Sequence, residues 1–335
     1  MTLMNMMSLP LDIGVSWSRA AVADAAELSA LFNNIAEHEG TPERLSEASM
    51  AHELSTYFAP LGDKTLVARN HADTIVGYAT AYSRPAEAEE MRAYVNVYVA
   101  VDWRGQGLED AMLEWAIAAG TEALSNVRAK KRYVCAWLFK KQEEAAARFA
   151  DRGFVAVRHW WEMECPLAEP VVHRPEEGFE IVRWDEQYDE PARLVYNAAF
   201  ADHWGSTPMD EENWAKQAIA SPNFRRSMSF IALGDGEAVG YSACEEYPED
   251  WEAAGQREAW VAGLGVVREW RKRGIATALL ERSMNAMRGE GAEAAMIGVD
   301  SDSPSGAQHL YGSVGFVTRT TGTTWQLEVE HSGSS

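Results

Sequence analysis

The run Arg271-Lys272-Arg273-Gly274-Ile275-Ala276 has residue types and a spacing suited to binding an anionic phosphate. It follows a short apolar run, Ala262 to Val267, and opens a helical one, Thr277 to Met287. At such a strand-to-helix turn the first backbone N–H groups lack intrahelical partners, and the helix dipole favours negative charge. Gly274 lets the backbone come close to a ligand, and small Ala276 keeps the first turn clear. A second group of chemical interest is the loop Phe200-Ala201-Asp202-His203-Trp204-Gly205. It offers an acid that would attract a cation, a titratable ring and an aromatic wall. A packed aromatic loop with a capping Asp is an equally good reading of the same residues.

The elements that must position these groups occur twice. Val99-Ala100-Val101-Asp102-Trp103-Arg104-Gly105-Gln106-Gly107-Leu108 lies over Val266 to Ile275 without a gap, at an offset of 271 − 104 = 167. Gly14-Val15-Ser16-Trp17 matches Ile181-Val182-Arg183-Trp184 at 184 − 17 = 167. Val76-Gly77-Tyr78 matches Val239-Gly240-Tyr241, and Gly153-Phe154-Val155 matches Gly315-Phe316-Val317, with slightly smaller offsets that loop insertions would produce. Landmarks in one order, spaced by half of 335 residues, mean a duplicated domain. The segment Cys165 to Gly178, with Pro166, Pro170 and Pro175, has the composition of a linker. The expected domains are therefore 1–167 and 168–335.

Each half reads as mixed α/β. A short strand (Ile13 to Trp17; Phe179 to Trp184) leads into helical segments. A hairpin follows, Thr65 to Arg69 with Thr74 to Tyr82 and Met228 to Leu233 with Ala238 to Glu245, the second turned by Asp235-Gly236. Then come the strand before the basic turn and a helix with apolar positions Ile275, Ala278, Leu279 and Met287. A further strand (Tyr133 to Leu138; Met296 to Val299), a helix and closing strands (Gly153 to Met163; Gly315 to Val329) complete each half.

Fifty-one acidic against 30 basic residues give a net charge of −21. That surface repels nucleic acid and anionic membrane; it either serves solubility or attracts cationic ligands such as amines. Cys135, Cys165 and Cys244 are odd in number and widely spaced, without zinc or Cys-x-x-Cys spacing, so neither a metal site nor a disulfide scaffold is expected. Met1 to Leu11 is apolar but carries no basic residue, and no run approaches the ~20 apolar residues of a membrane span. A soluble, cytoplasmic protein is the expectation. The oligomeric state is open.

With these residues on the page, the sequence resembles the GNAT superfamily, the Gcn5-related N-acetyltransferases, in tandem over most of the chain. That family's Arg/Gln-x-x-Gly-x-Gly/Ala turn, which binds the acetyl-CoA pyrophosphate, is matched by Arg271, Gly274 and Ala276. Its helix ending in Leu-Tyr, three residues before Gly-Phe, is matched by Leu310-Tyr311-Gly312-Ser313-Val314-Gly315-Phe316. Ala307 sits where a small residue is usual, whereas Pro304 replaces a common Asn.

The resemblance implies two tandem acyl-CoA N-acyltransferase folds with acetyl-CoA as cosubstrate, no metal and a small primary amine as acceptor. It implies pantetheine and pyrophosphate contacts from Leu264, Gly265, Val266, Val267, Arg271, Lys272, Arg273, Gly274, Ile275 and Ala276. It makes Tyr311 the proton donor to the CoA sulfur, a role suited to a phenol of ordinary pKa near ~10. A base is sought near the central strand among Glu245, Glu246 and Glu258, with Glu245 preferred. His203 and Trp204 become acceptor-pocket candidates, and the Phe200 stretch resembles, more locally, mycothiol-synthase-like tandem acetyltransferases. A non-catalytic acyl-CoA-binding regulator or scaffold is the alternative function.

The first half departs from the pattern. Glu109 occupies the small-residue position of Ala276, where its charge would repel pyrophosphate. Phe149 stands where Tyr311 stands in the second half. The expectation is that the first half binds acetyl-CoA poorly and transfers nothing.

Overall fold

The computed structural model describes residues 13–58, 64–83, 89–125, 127–171, 177–302 and 306–330. Pro304, Pro175 and the apolar Met1 to Leu11 lie outside the described residues. The chain forms two units, one of residues 1–158 with 322–335 and the other of 159–321.

In the first unit, β1 (Ser16–Ser18) is followed by α1 (Ala25–Glu39) and α2 (Glu47–Glu53). Next come β2 (Thr65–Arg69), β3 (Ile75–Ser83), β4 (Glu90–Val99), α3 (Leu108–Ala123), β5 (Lys131–Phe139) and α4 (Glu143–Asp151), and then β6 (Val155–Pro166) begins. The second unit holds β7 (Glu180–Arg183), α5 (Asp189–Ala199), α6 (Glu211–Trp214), β8 (Phe230–Gly234), β9 (Glu237–Glu245) and α7 (Trp251–Ala254). It continues with β10 (Glu258–Val266), α8 (Ile275–Gly289), β11 (Ala294–Asp300) and α9 (Ala307–Val314), and β12 (Val317–Glu328) is the last described strand.

Each unit is a mixed sheet. Strands β1 to β4 pair antiparallel in order, and β4 runs parallel to β5. In the second unit β7 to β10 pair antiparallel in order, and β10 runs parallel to β11. The only way to make adjacent strands parallel is a crossover, and α3 and α8 supply it. The apolar stripe of α8, Ile275, Leu279, Leu280, Met284 and Met287, follows the i, i+4, i+5 spacing of one helix face and is buried against its sheet. Asp235 and Gly236 take φ of 52° and 87°, the left-handed pair that a two-residue hairpin needs between β8 and β9.

The last strand of each sheet differs from the simple halves expected. Gly322 to Glu328 of β12 pairs with Phe139 to Tyr133 of β5, within the first unit. Trp160 to Pro166 of β6 pairs with Asp300 to Ala294 of β11, within the second. The division thus falls near residue 158, with the C-terminal segment counted in the first unit, rather than at 167/168. The segment read as linker is in part structure. Cys165 and Pro166 finish a strand, and Val171 exchanges two hydrogen bonds with the Asn285 side chain (3.0 and 2.8 Å). Proline content suggested a break because proline is rare inside strands, but at a strand's end its missing N–H costs nothing. Among the described residues no helix is long and apolar enough to cross a membrane, and no group of three His, Cys, Asp or Glu could hold a metal ion. The three cysteines are buried and free.

Candidate active site

The basic turn bridges β10 and α8. Lys272 has φ +63° and Gly274 φ +85°, so left-handed residues alternate with the others along the turn. Alternation of that kind points successive N–H groups into one concavity, an anion nest. A left-handed lysine costs about 1 kcal/mol, a strain kept only where the local fold fixes it. The Arg271 side chain does not face the concavity. Its Nε donates to the Val266 carbonyl (3.0 Å) and its Nη2 to the Ala199 carbonyl (2.8 Å), tying the end of β10 to the end of α5. The guanidinium of Arg273 lies over the Trp270 ring, 4.5 Å from its centre. Backbone amides are therefore what this turn presents.

The first unit shows what such a turn attracts. Gly105 and Gly107 have φ of 72° and 90°, at the positions of Lys272 and Gly274. Arg104 braces Val99 and Glu39 as Arg271 braces Val266 and Ala199. Into this nest comes the chain's own Glu109. Both its carboxylate oxygens accept from the Gly105 N–H (2.9 and 3.1 Å), and Arg148 pairs with it at 3.1 Å. Glu109 neither points to solvent nor merely repels; it is buried and takes the place an anion would take. In the second unit Ala276 stands there, and among the described residues no side-chain carboxylate accepts from the amides of this turn.

Beside the nest the central strands part. β10 pairs with β11 from Glu258↔Ala294 to Val261↔Ile297 and no further, and a bulge between Val261 and Gly263 shifts its register on β9. Leu264, Gly265 and Val266 thus lie along a gap facing β11, where no described strand pairs with them, although the Val266 carbonyl is taken by Arg271. β4 and β5 part in the same way after Tyr94↔Cys135, opening a cavity of about 600 Å³ lined by Val95, Tyr98, Arg104, Glu109, Trp137 and Arg148.

The two faces of the second sheet carry different chemistry. On the face covered by α8, Tyr311 is 7% exposed and packs among Met163, Cys165, Val261 and Phe316. Burial pushes its pKa up to about 12, so the phenol holds its proton. Its hydroxyl has no hydrogen-bond partner among the described residues. Phe149, its counterpart in the first unit, packs edge-on to Phe154 at 5.0 Å, as Tyr311 packs against Phe316 at 6.1 Å.

The opposite face holds α5. Register puts Glu245, Trp260, Met296 and Glu164 in one row across β9, β10, β11 and β6. Gly298 and Glu162 form the next row, and Asp300 and Trp160 the one after. Burial raises the Glu245 carboxyl above its ordinary value, opposed by a hydrogen bond from the Tyr247 hydroxyl and by Arg225. Glu246 is held by Arg225 (2.9 Å), and Glu258 is tied to Arg319. His203 and Trp204 lie 6.3 and 6.4 Å from the Trp160 ring, so the aromatic wall exists. Asp202, read as a cation-attracting acid, is exposed and pairs with Arg268. Glu162 and Trp160 escaped the sequence reading: they belong to a strand that register alone assigns to this sheet.

Comparison with known proteins agrees with this architecture. The Acetyltransferase (GNAT) family matches residues 30–154 and again 172–316. The chain belongs to the GNAT acetyltransferase family. As a tandem GNAT protein it is an acyl-CoA-dependent N-acetyltransferase. A mycothiol acetyltransferase of Catenulispora acidiphila is 27% identical over 258 residues, 76% of this chain and 77% of that protein. One from Streptomyces griseus is 29% identical over 163 residues, 48% of this chain and 50% of that one. A GCN5-related N-acetyltransferase from Sphaerobacter thermophilus shares the fold with a TM-score of 0.72 at 22% identity, covering 96% of this chain and 97% of that one. A tandem GNAT protein from the clavulanic acid biosynthesis pathway superposes with 0.67 at 17% identity, over 96% and 99% of the two chains.

Proposed function

We propose that this tandem GNAT protein moves an acetyl group from acetyl-CoA to a primary amine of a small molecule, with its working site in residues 159–321. The observation that carries the reading is the contrast between the nests: one is filled by Glu109, and its counterpart beside Ala276 is open. The gap between β10 and β11 suits pantetheine, with Leu264 to Val267 alongside, and the turn Arg271 to Ala276 suits the pyrophosphate through its amides. Backbone donors at the gap polarise the thioester oxygen. Tyr311 gives its proton to the departing sulfur. A carboxylate on the α5 face, where Glu245 was expected, frees the amine, and His203 and Trp204 wall the acceptor. The mycothiol acetyltransferase relatives favour a small-molecule amine over a protein.

The test is calorimetry with acetyl-CoA, followed by CoA-thiol release with cysteine, glucosamine and spermidine. One equivalent should bind, and at least one amine should turn over. Tyr311→Phe should lower kcat about 10²-fold while acetyl-CoA still binds. Binding without turnover of any amine would favour a regulatory acyl-CoA binder, and no binding at all would end both readings.

A further inference from the structure

We infer that Glu162, on β6, is the carboxylate that meets the acceptor amine and takes its proton. The inference rests on the acetyltransferase reading above and names the base within that same site.

Position is the first argument. Val261↔Ile297 is the last pair joining β10 to β11, so Gly298 is the first β11 residue beyond the fork. Glu162 is directly opposite Gly298 on β6 and shares its face of the sheet. A Cβ at Gly298 would meet no heavy atom within 4 Å among the described residues. Open space therefore adjoins Glu162 at the apex of the gap, where the thioester carbonyl of a pantetheine chain would lie. Glu245 lies a row earlier, in register with Trp260, on β9 and three strands away from β6.

State of the group is the second argument. Glu162 is 9% exposed, yet its carboxylate has no hydrogen bond or ion pair to any described residue. The side chain is mostly buried while its carboxylate oxygens are not among the buried unpaired atoms, so they keep a contact with solvent and with any ligand there, and carboxylates so placed recur at functional sites. Burial, opposed by Arg319 and helped by nearby Glu258, lifts its pKa to about 7. Glu164 on its own strand and Asp300 on β11 share the face, and Arg319 is already held by Glu164 and Glu258. Glu245, by contrast, is occupied by the Tyr247 hydroxyl.

The face supplies the rest. Trp160 lies two residues along β6 on the same side, with His203 and Trp204 beside it. Aromatic rings around a carboxylate suit an ammonium group. Tyr311 belongs to the opposite face. Amine and sulfur are then served from opposite sides of the fork. Glu162 accepts one proton from the ammonium. The freed nitrogen lone pair bonds to the thioester carbon as the carbonyl electrons move to oxygen. When the carbonyl re-forms, the C–S bond breaks with its electron pair going to sulfur, which takes the Tyr311 proton. The second nitrogen proton returns to the phenol through water, and Glu162 releases its own to solvent.

The test compares Glu162→Gln with Glu245→Gln, using whichever of cysteine, glucosamine or spermidine turns over. Glu162→Gln should lower kcat/KM at least about 10²-fold and abolish a limb of its pH profile near 7, with acetyl-CoA affinity unchanged. Glu245→Gln should lower it less than Glu162→Gln does and leave the limb near 7 in place. An unchanged rate and pH limb in Glu162→Gln, or the large loss in Glu245→Gln instead, would overturn the inference while leaving the acetyltransferase reading intact. A second readout needs no acceptor. Because the folded pKa lies above the unfolded one, the carboxylate destabilises the fold progressively as pH rises from about 4.5 to about 7, and constantly above that. Glu162→Gln should therefore melt higher than the parent protein at pH 8 but not at pH 4. Equal melting at both would mean that the carboxylate is fully solvated or paired, and the inference would fall.

Discussion

On the proposed reading, Lys272 and Ala276 are the residues on which phosphate binding at the second turn depends. Lys272 contributes a left-handed backbone and its N–H, and Ala276 contributes the absence of a carboxylate. If amides do the binding, Lys272→Gly should change acetyl-CoA affinity only a few-fold, because glycine adopts the same φ more cheaply. Ala276→Glu should instead copy the plug of Glu109 and remove detectable binding, with the fold kept, as calorimetry and circular dichroism would report. Tyr311 adds a pH prediction. Its raised value means that the acidic form persists as pH rises, so kcat should not fall between pH 7 and 10 through loss of this proton. The motif residues were legible in the sequence because turns and helix ends are written locally. What Arg271 does was not legible, since its partners Val266 and Ala199 are brought to it by the packing of α5.

At the scale of elements, the fork between β10 and β11 depends on glycines that the motif does not mention. A Cβ at Gly265 would come within 2.9 Å of the Tyr241 ring and 3.1 Å of both Ala199 and Phe200; at Gly263 it would meet the Tyr241 hydroxyl at 2.9 Å. Tyr241 is fully packed between α5 and the sheet and cannot withdraw without opening that core. Gly265→Val should therefore overpack the α5 interface, costing about 1–3 kcal/mol, and push α5 away from the gap. A lower melting temperature with weaker acetyl-CoA binding is the expected result. Strand and helix types were readable from period and turn chemistry, including the Asp235-Gly236 hairpin. The fork was not, because a strand leaving its neighbour has the same composition as one that stays.

At the scale of the whole molecule, duplication gave two copies of one nest, and in the first the chain's own Glu109 fills it. The first unit keeps a nest, a parted pair of strands and a cavity of about 600 Å³, but Glu109 and Arg148 satisfy each other inside the nest. The parent protein should bind one equivalent of acetyl-CoA. Glu109→Ala should release the Gly105 amide and Arg148 and create a second, weaker site, seen as a stoichiometry rising toward two. Two equivalents in the parent protein would mean that the plug yields to ligand.

The sequence by itself determined the duplication, the mixed α/β class, the basic glycine turn, the Leu-Tyr and Gly-Phe signature, and which copy departs from the family pattern. All of these are written in local patterns or in the comparison of one half with the other. Only the tertiary structure decided that Glu109 enters the nest, that Asp202 is paired with Arg268, and that β6 brings Glu162 beside Gly298. Each depends on which distant strands and helices become neighbours, and strand register, set by long-range pairing, is not encoded in the spacing of any one segment.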